Sequence, residues 1–170
     1  PPTLPKFDRI TGNLSFMFFR PNRYEALQQL VQFLIPGGQI VLTFPSLGTF
    51  DSLWKRIDDE MQTKGLVREQ KALAEYIKER PSSNQAKKWL KELGMEQVVV
   101  SERPLEIKSG SGREFLETPL LRGGFLEEGY ECFEDQTLAN ELMTTISNDL
   151  SSFLPIMAQR CAMSGWMPKD

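Results

Sequence analysis

Any chemistry in this chain has to be built without histidine, because none occurs among its 170 residues. That removes Ser-His-Asp and Cys-His nucleophile arrangements, and with them the common zinc sites. Cys132 and Cys161 stand far apart, which suits two reduced thiols rather than a disulfide framework, and no metal-ligand spacing surrounds them. Gly110-Ser111-Gly112 looks superficially like a phosphate loop, but it lacks a third glycine, and Ser111 with Glu114 has the spacing of a helix capping box. Glu127, Glu128, Glu131, Glu134 and Asp135 form an acidic run without basic balance, which reads as a solvated face and not as a metal site. What remains is Asn13-Leu14 followed by Phe16-Met17-Phe18-Phe19, an amide and several large apolar residues directly after a short apolar-alternating run. The aromatic residues can pack beneath the next helix and can also border a pocket, since ligands of open α/β sheets bind beyond the carboxyl ends of the strands.

The elements that position this stretch lie on either side of it. Residues 7–14 alternate in polarity and read as a strand. Asn22 precedes Glu25 by three positions, the reciprocal capping pattern, and Tyr24, Leu27, Leu30, Val31 and Leu34 then follow on one helical stripe. Pro36 with Gly37-Gly38 is expected to stop that helix, and residues 39–44 to form a nearly continuous apolar strand buried on both faces. Strand, helix and strand at this length make a right-handed crossover unit.

Further on, Thr49 or Asp51 is the expected cap of a helix whose face is Leu53, Trp54, Ile57 and Met61, closed by Lys64-Gly65. A charge-rich helix over residues 67–79 carries Leu73, Tyr76 and Ile77, and Ser82-Ser83-Asn84 opens another with Ala86, Trp89, Leu90 and Leu93 inward. Residues 97–107 form a third strand, and Pro104 assigns it to a sheet edge or a bulge. A short helix over residues 115–121 and an Arg122-Gly123-Gly124 turn follow. Leu138, Leu142, Ile146, Leu150 and Phe153 then predict a helix of about five turns ended by Pro155. Residues 156–167 complete the chain as a strand with Ile156, Ala158, Ala162 and Trp166 inward.

The composition is that of an ordinary globular protein, 40% apolar and 25% charged, and the length fits one domain. A net charge of -3 gives no electrostatic case for nucleic acid or an anionic membrane, and no run approaches a membrane span. A cytoplasmic location is expected.

The segments FDRITGNLSFMFF and YEALQQLVQFLIPGGQIVLTFP resemble the middle of the class I S-adenosylmethionine-dependent methyltransferases, in particular the small-molecule, methyltransferase type 11-like branch. Asp8, Asn13, Leu14, Pro36, Gly37 and Gly38 match that family's pattern from its fourth strand to its fifth, whereas Ile35 stands where the family usually has a basic residue. A weaker match continues to the C-terminus. The resemblance implies an α/β fold, the C-terminal half of a Rossmann-like methyltransferase sheet. It would have about four strands with flanking helices, an antiparallel last strand, and the spatial order first, second, fourth, third. It also implies that the glycine-rich loop and the ribose-binding acid belong to a preceding segment, because only six residues stand before Phe7. Residues 1–170 are thus read as a single partial domain from the C-terminal half of a longer enzyme, inactive alone.

By the same resemblance, Asn13, Leu14 and Phe18 would meet S-adenosylmethionine, while Phe19, Thr43, Phe44 and Pro45 would line the small-molecule substrate side. No catalytic base stands out; the sulfonium is already activated, and the protein's work would be orientation. The first strand would present an open edge, inviting either a second copy as a homodimer or the absent N-terminal half. A non-catalytic binding or assembly domain that keeps half the fold is the alternative, since fold analogy does not establish activity. A Rossmann dehydrogenase would need a glycine fingerprint and fits the Asn-Leu and Pro-Gly-Gly pair poorly.

Overall fold

A computed structural model describes residues 5–119, 121–149 and 155–169. The contacts gather into two compact units. The first, a sheet unit, comprises Pro1–Thr49, Glu79–Pro104 and Gln159–Asp170; the second, a helical unit, comprises Phe50–Lys78 and Leu105–Ala158.

In the sheet unit, β1 (Phe7–Asn13), β2 (Leu34–Pro45), β3 (Glu96–Glu106) and β4 (Met157–Trp166) form one sheet in the order β1-β2-β4-β3. β1 runs parallel to β2, and β4 inserts antiparallel beside β2. This is the expected order, with the last strand reversed and the Pro104-containing strand at an edge. α1 (Arg23–Gln32) is the crossover, and α4 (Ser83–Glu92) joins it over one core. That core takes Leu27, Val31, Ala86 and Leu90 from the helices and Ile40, Leu42, Phe44, Cys161 and Met163 from the strands.

The register explains two departures from expectation. Ile40, Leu42 and Phe44 sit opposite Gly165, Met163 and Cys161, so these residues share the buried face. Val41 and Thr43 point to the second face and are only half-buried, so β2 is not enclosed on both sides. β4 likewise buries Cys161, Met163 and Gly165, and Ala158, Ala162 and Trp166 lie on the opposite parity. A period of two turns a one-residue error into the wrong face. On that second face, the Arg9 guanidinium lies 4.7 Å from the Trp166 ring centroid.

α1 also ends earlier than predicted. Its last helical residue is Gln32, and Leu34 already belongs to β2, paired with Phe7. Between that pair and Arg9↔Gln39 the register slips, so Pro36-Gly37-Gly38 forms a bulge inside β2 rather than the turn before it. Gly37 takes a positive φ of 72°, and a Cβ on Gly38 would lie 2.9 Å from the Ile35 carbonyl oxygen. Asn22 occupies the N-cap of α1, but its side chain makes no cap hydrogen bond, so the predicted capping box is absent there.

In the helical unit, α2 (Asp51–Thr63) buries Leu53, Trp54, Ile57 and Met61 as its periodicity requires, and Lys64-Gly65 closes it with Gly65 at φ 70°. Its N-cap is Phe50, in left-handed conformation, and not Thr49 or Asp51. α3 (Val67–Lys78) buries Leu73 and Tyr76, and the Tyr76 hydroxyl donates to the Phe125 carbonyl at 3.2 Å. α5 (Gly112–Leu116) carries the Ser111 cap expected from the sequence: Ser111 Oγ accepts from Glu114 N at 3.0 Å, while Glu114 Oε2 accepts from Gly110 N at 2.8 Å. Arg122-Gly123-Gly124 lies inside a wide helical turn, Leu121–Phe125, that leads directly into α6 (Leu126–Tyr130). α7 (Gln136–Ser147) starts on an Asp135 cap and stops at Asn148, shorter than expected; Leu150 and Phe153 lie outside the described residues. Asp135 therefore serves as a cap, and Glu134 pairs with Arg68. Among the described residues, no helix is long and apolar enough to cross a membrane.

Candidate functional site

The carboxyl end of β1 is built by its pairing with β2. Asn13 stands opposite Thr43, and Thr43 Oγ1 donates to Asn13 Oδ1 at 2.6 Å. The Leu14 N–H then donates to both the Thr43 carbonyl and Thr43 Oγ1, each at 3.1 Å. Leu14 itself sits at φ 52°, a left-handed conformation that turns the chain sharply off the sheet and leaves its side chain 43% exposed. Gly12 lets the chain pack closely here: a Cβ there would stand 2.7 Å from Ser15 Oγ and 2.8 Å from Leu42 Cδ2, so both side chains would have to shift.

A single 3-10 turn, Phe16–Phe18, follows. Its three side chains and that of Phe19, which caps it, divide between the two roles read from the sequence. Phe16 is fully buried and Met17 nearly so, with Phe16 in edge contact with Phe44 at 5.5 Å and Phe19 at 6.1 Å between centroids. Phe18 is 58% exposed and Phe19 40%. Thus Asn13, Leu14 and Thr43 meet in one hydrogen-bonded corner, and Phe18 and Phe19 stand on the turn that follows it. Phe44 is core, 1% exposed beneath Phe16, and Pro45 is half-buried at the end of β2. The corner combines a side-chain amide with exposed apolar surface.

Gly12, Ser15 and Arg23 were not singled out by the sequence. Arg23 stands in the first turn of α1, where an arginine ordinarily faces solvent, yet it is buried. Nothing in its spacing marks it.

The groups with displaced pKa values lie elsewhere. Burial, reinforced by the Glu102 carboxylate, pushes the Cys161 thiol up to about 11. In the helical unit, burial raises the Tyr130 phenol and the Arg122 charge opposes it. Tyr130 and Arg122 border a cleft of about 800 Å³ that also takes in Arg113, Glu127 and Met143. None of the residues predicted from the sequence to hold cofactor or substrate lines it. Among the described residues, no group of three or more His, Cys, Asp or Glu could hold a metal ion.

Neither a family model nor a curated protein matches the chain. Solved structures similar to it include phosphoethanolamine N-methyltransferase 2 of Haemonchus contortus in complex with phosphomonomethylethanolamine and S-adenosylhomocysteine, at 14% identity and a TM-score of 0.48. The similarity covers 96% of this chain and 34% of that one. A provisionally named methyltransferase of Bacillus halodurans is 15% identical with a TM-score of 0.48, covering 99% of this chain and 68% of that one. A plantazolicin methyltransferase in complex with S-adenosylhomocysteine is 15% identical with a TM-score of 0.37, over 98% and 54%. The chain thus spans about a third of the first relative's length. Likeness at this level carries no functional weight, and what bears on the fold is the strand order itself. With β1 and β2 parallel and β4 reversed between β2 and β3, the described residues form a mixed α/β sheet in the strand order that the resemblance to class I methyltransferases implies.

Proposed function

We propose that this chain is the C-terminal part of an S-adenosylmethionine-dependent enzyme that methylates a small molecule. The observation that supports this most is the β1 corner, where a strand end, a left-handed Leu14 and an exposed Phe18 form a shelf beyond the carboxyl edge of the sheet. The residues present fit the cofactor. Phe18 and Leu14 offer apolar surface to a flat base, and the Asn13 amide, oriented through its Oδ1 by Thr43, keeps its NH2 donors for a polar atom. The cofactor supplies an activated methyl group on its sulfonium. This chain's residues bind and orient: Asn13 and Leu14 would fix one side, while Phe19, Thr43 and Pro45 would exclude water on the acceptor side, with Phe44 supporting them from beneath.

β1 pairs only with β2 among the described residues, and its outer edge is open. In this reading, the edge receives the strand that carries the glycine-rich loop, and this chain alone binds cofactor poorly. Calorimetric titration of S-adenosylmethionine into this chain and into the longest product of its gene tests the proposal. Binding by the longer product alone supports it. Absence of binding and of methyl transfer from both sinks it, and the second reading then takes its place. That reading, a binding or assembly module, is favoured by the same open edge, where a second copy could add its own β1. Light scattering on the purified chain distinguishes a dimer from a monomer.

A further inference from the structure

Arginine is seldom fully buried, yet the sheet unit contains Arg23 and Arg80, each 5% exposed. Burying a guanidinium is costly unless its donors find acceptors in the planar arrangement they require. Arg23 spends two on main-chain carbonyls distant in sequence: Nη2 donates to Met17 O at 2.8 Å and Nη1 to Glu79 O at 2.6 Å. The Glu79 carboxylate accepts from Arg20 Nε at 2.5 Å, and Arg80 Nη1 donates to Thr49 O at 2.8 Å. Arg20 and Arg23 flank the start of α1, so a rigid helix end grips both carbonyls.

Met17 is the middle residue of the turn between Phe16 and Phe18. Phe16 is already fixed in the core against Phe44, and Arg23 adds a second anchor one residue on. Two anchors on consecutive residues set where the next side chains leave the turn, and those are Phe18 and Phe19.

We infer that Arg23 is a positioning residue: by clamping the Met17 and Glu79 carbonyls with one guanidinium, it holds Phe18 and Phe19 at the carboxyl end of β1. Its bearing on cofactor binding rests on the function proposed above, whereas the clamp itself does not. Lysine has no planar fork and cannot grip both carbonyls in this geometry.

Residue-resolved amide hydrogen exchange on Arg23→Lys and Arg23→Gln tests this. The reporters are the Phe18 N–H, which donates to Ser15 O, and the Phe19 N–H, which donates to Phe16 O; Ile40 and Leu42 in β2 are the reference. Losing a hydrogen bond from a charged donor should accelerate exchange at the reporters about tenfold or more, with the reference amides within about twofold. Equal acceleration at both sets would mean that Arg23 acts only on global stability and overturns the inference, as would no acceleration at all. Should Arg23→Gln fail to fold, Arg23→Lys, which keeps the charge and most of the aliphatic stem, decides alone. S-adenosylhomocysteine titration into the longest gene product separates the two layers. A wild-type protein that never binds refutes the functional proposal and leaves the exchange result standing. An Arg23→Lys protein with a loosened turn and unchanged affinity removes the turn from the cofactor site.

Discussion

Replacing Thr49 with valine removes one oxygen and almost no volume, so the structure predicts its cost closely. Thr49 is fully buried in the sheet unit. Its hydroxyl accepts from the Gln159 N–H at 3.0 Å and donates to the Gln159 carbonyl at 3.3 Å. After Thr49→Val, the Gln159 carbonyl still accepts from the Ser46 N–H at 3.0 Å, so that acceptor stays satisfied. The Gln159 N–H loses the hydroxyl oxygen. An orphaned donor costs about 1–3 kcal/mol when buried, and Gln159 is half-buried, which places the cost inside that range and not above it. For a chain of this size each kcal/mol moves Tm by roughly 2–4 °C. The expected outcome is a fall of about 2 kcal/mol, read as a lower urea midpoint at unchanged m-value. Thr49→Ser keeps the oxygen and loses a methyl, so it should retain the Gln159 bond at a cost of about 1 kcal/mol from the small void. If Thr49→Val unfolds at the wild-type midpoint while Thr49→Ser does not, burial and not hydrogen bonding governs the site, and the reasoning fails.

Three further expectations follow from side chains outside the candidate site. Ser82→Ala removes the side chain that accepts from Gln85 N at 3.1 Å at the start of α4, and should cost about 0.5–2 kcal/mol in a thermal or urea melt; a loss below that range would show that the cap is dispensable. Cys161, with its thiol raised to about 11 from an ordinary 9.0, stays protonated in the fold where the unfolded chain begins to ionise. The stability it contributes is complete below pH 9 and is lost as pH rises toward 11, so wild type should weaken more than Cys161→Ala over that window. Parallel stability curves for the two proteins between those pH values would contradict it. At pH 8 a thiol reagent should label the half-exposed Cys132 well before Cys161.

Helical faces were the most legible part of the fold, and for a physical reason: a stripe at period 3.6 has to be buried against something whatever that something is. Leu53, Trp54, Ile57 and Met61 on α2, and Ala86 and Leu90 on α4, are buried as their spacing requires. Strand faces were less legible, because the period of two leaves only a binary choice that the partner's register makes. In β4 the small and polar-flanked residues Cys161, Met163 and Gly165 went inside, because Leu42 and Ile40 opposite them already faced the helices. Gly165 even requires this, since a Cβ there would come within 3.0 Å of Met95 Cβ. The Pro-Gly-Gly stretch was misplaced for the same reason. Local chemistry gives it a turn, and parallel pairing between Phe7 and Leu34 extended the strand past it and turned it into a bulge. The make-up of the helical unit could not be read from the sequence, because it is assembled from two stretches that are far apart along the chain.

At the candidate site the sequence marked residues on both sides of the turn, the exposed Asn13 and Phe18 and the buried Phe16 and Phe44, and missed several that hold them. Asn13, Leu14 and Phe18 stand out by type in a stretch that could be compared with known patterns, and Thr43 could be picked out from its place near the end of the next strand. Phe16 was among the residues read as packing beneath the next helix, and it is buried there, but the geometry depends also on Gly12, Ser15 and Arg23, whose contributions are an absent Cβ, a hydroxyl beside it and a buried fork. None of these has a spacing rule. A missing Cβ matters only once Leu42 and Ser15 are brought against it, and a buried arginine can be told from a solvated one only when Met17 and Glu79 supply carbonyls on the same side. The same asymmetry governs what substitutions should do. Changes at Phe18 should leave the fold intact, because more than half of that side chain is in solvent. Changes at Phe16 alter the fold first: removing a fully buried ring costs about 3–5 kcal/mol and would lower any binding only through the turn it anchors.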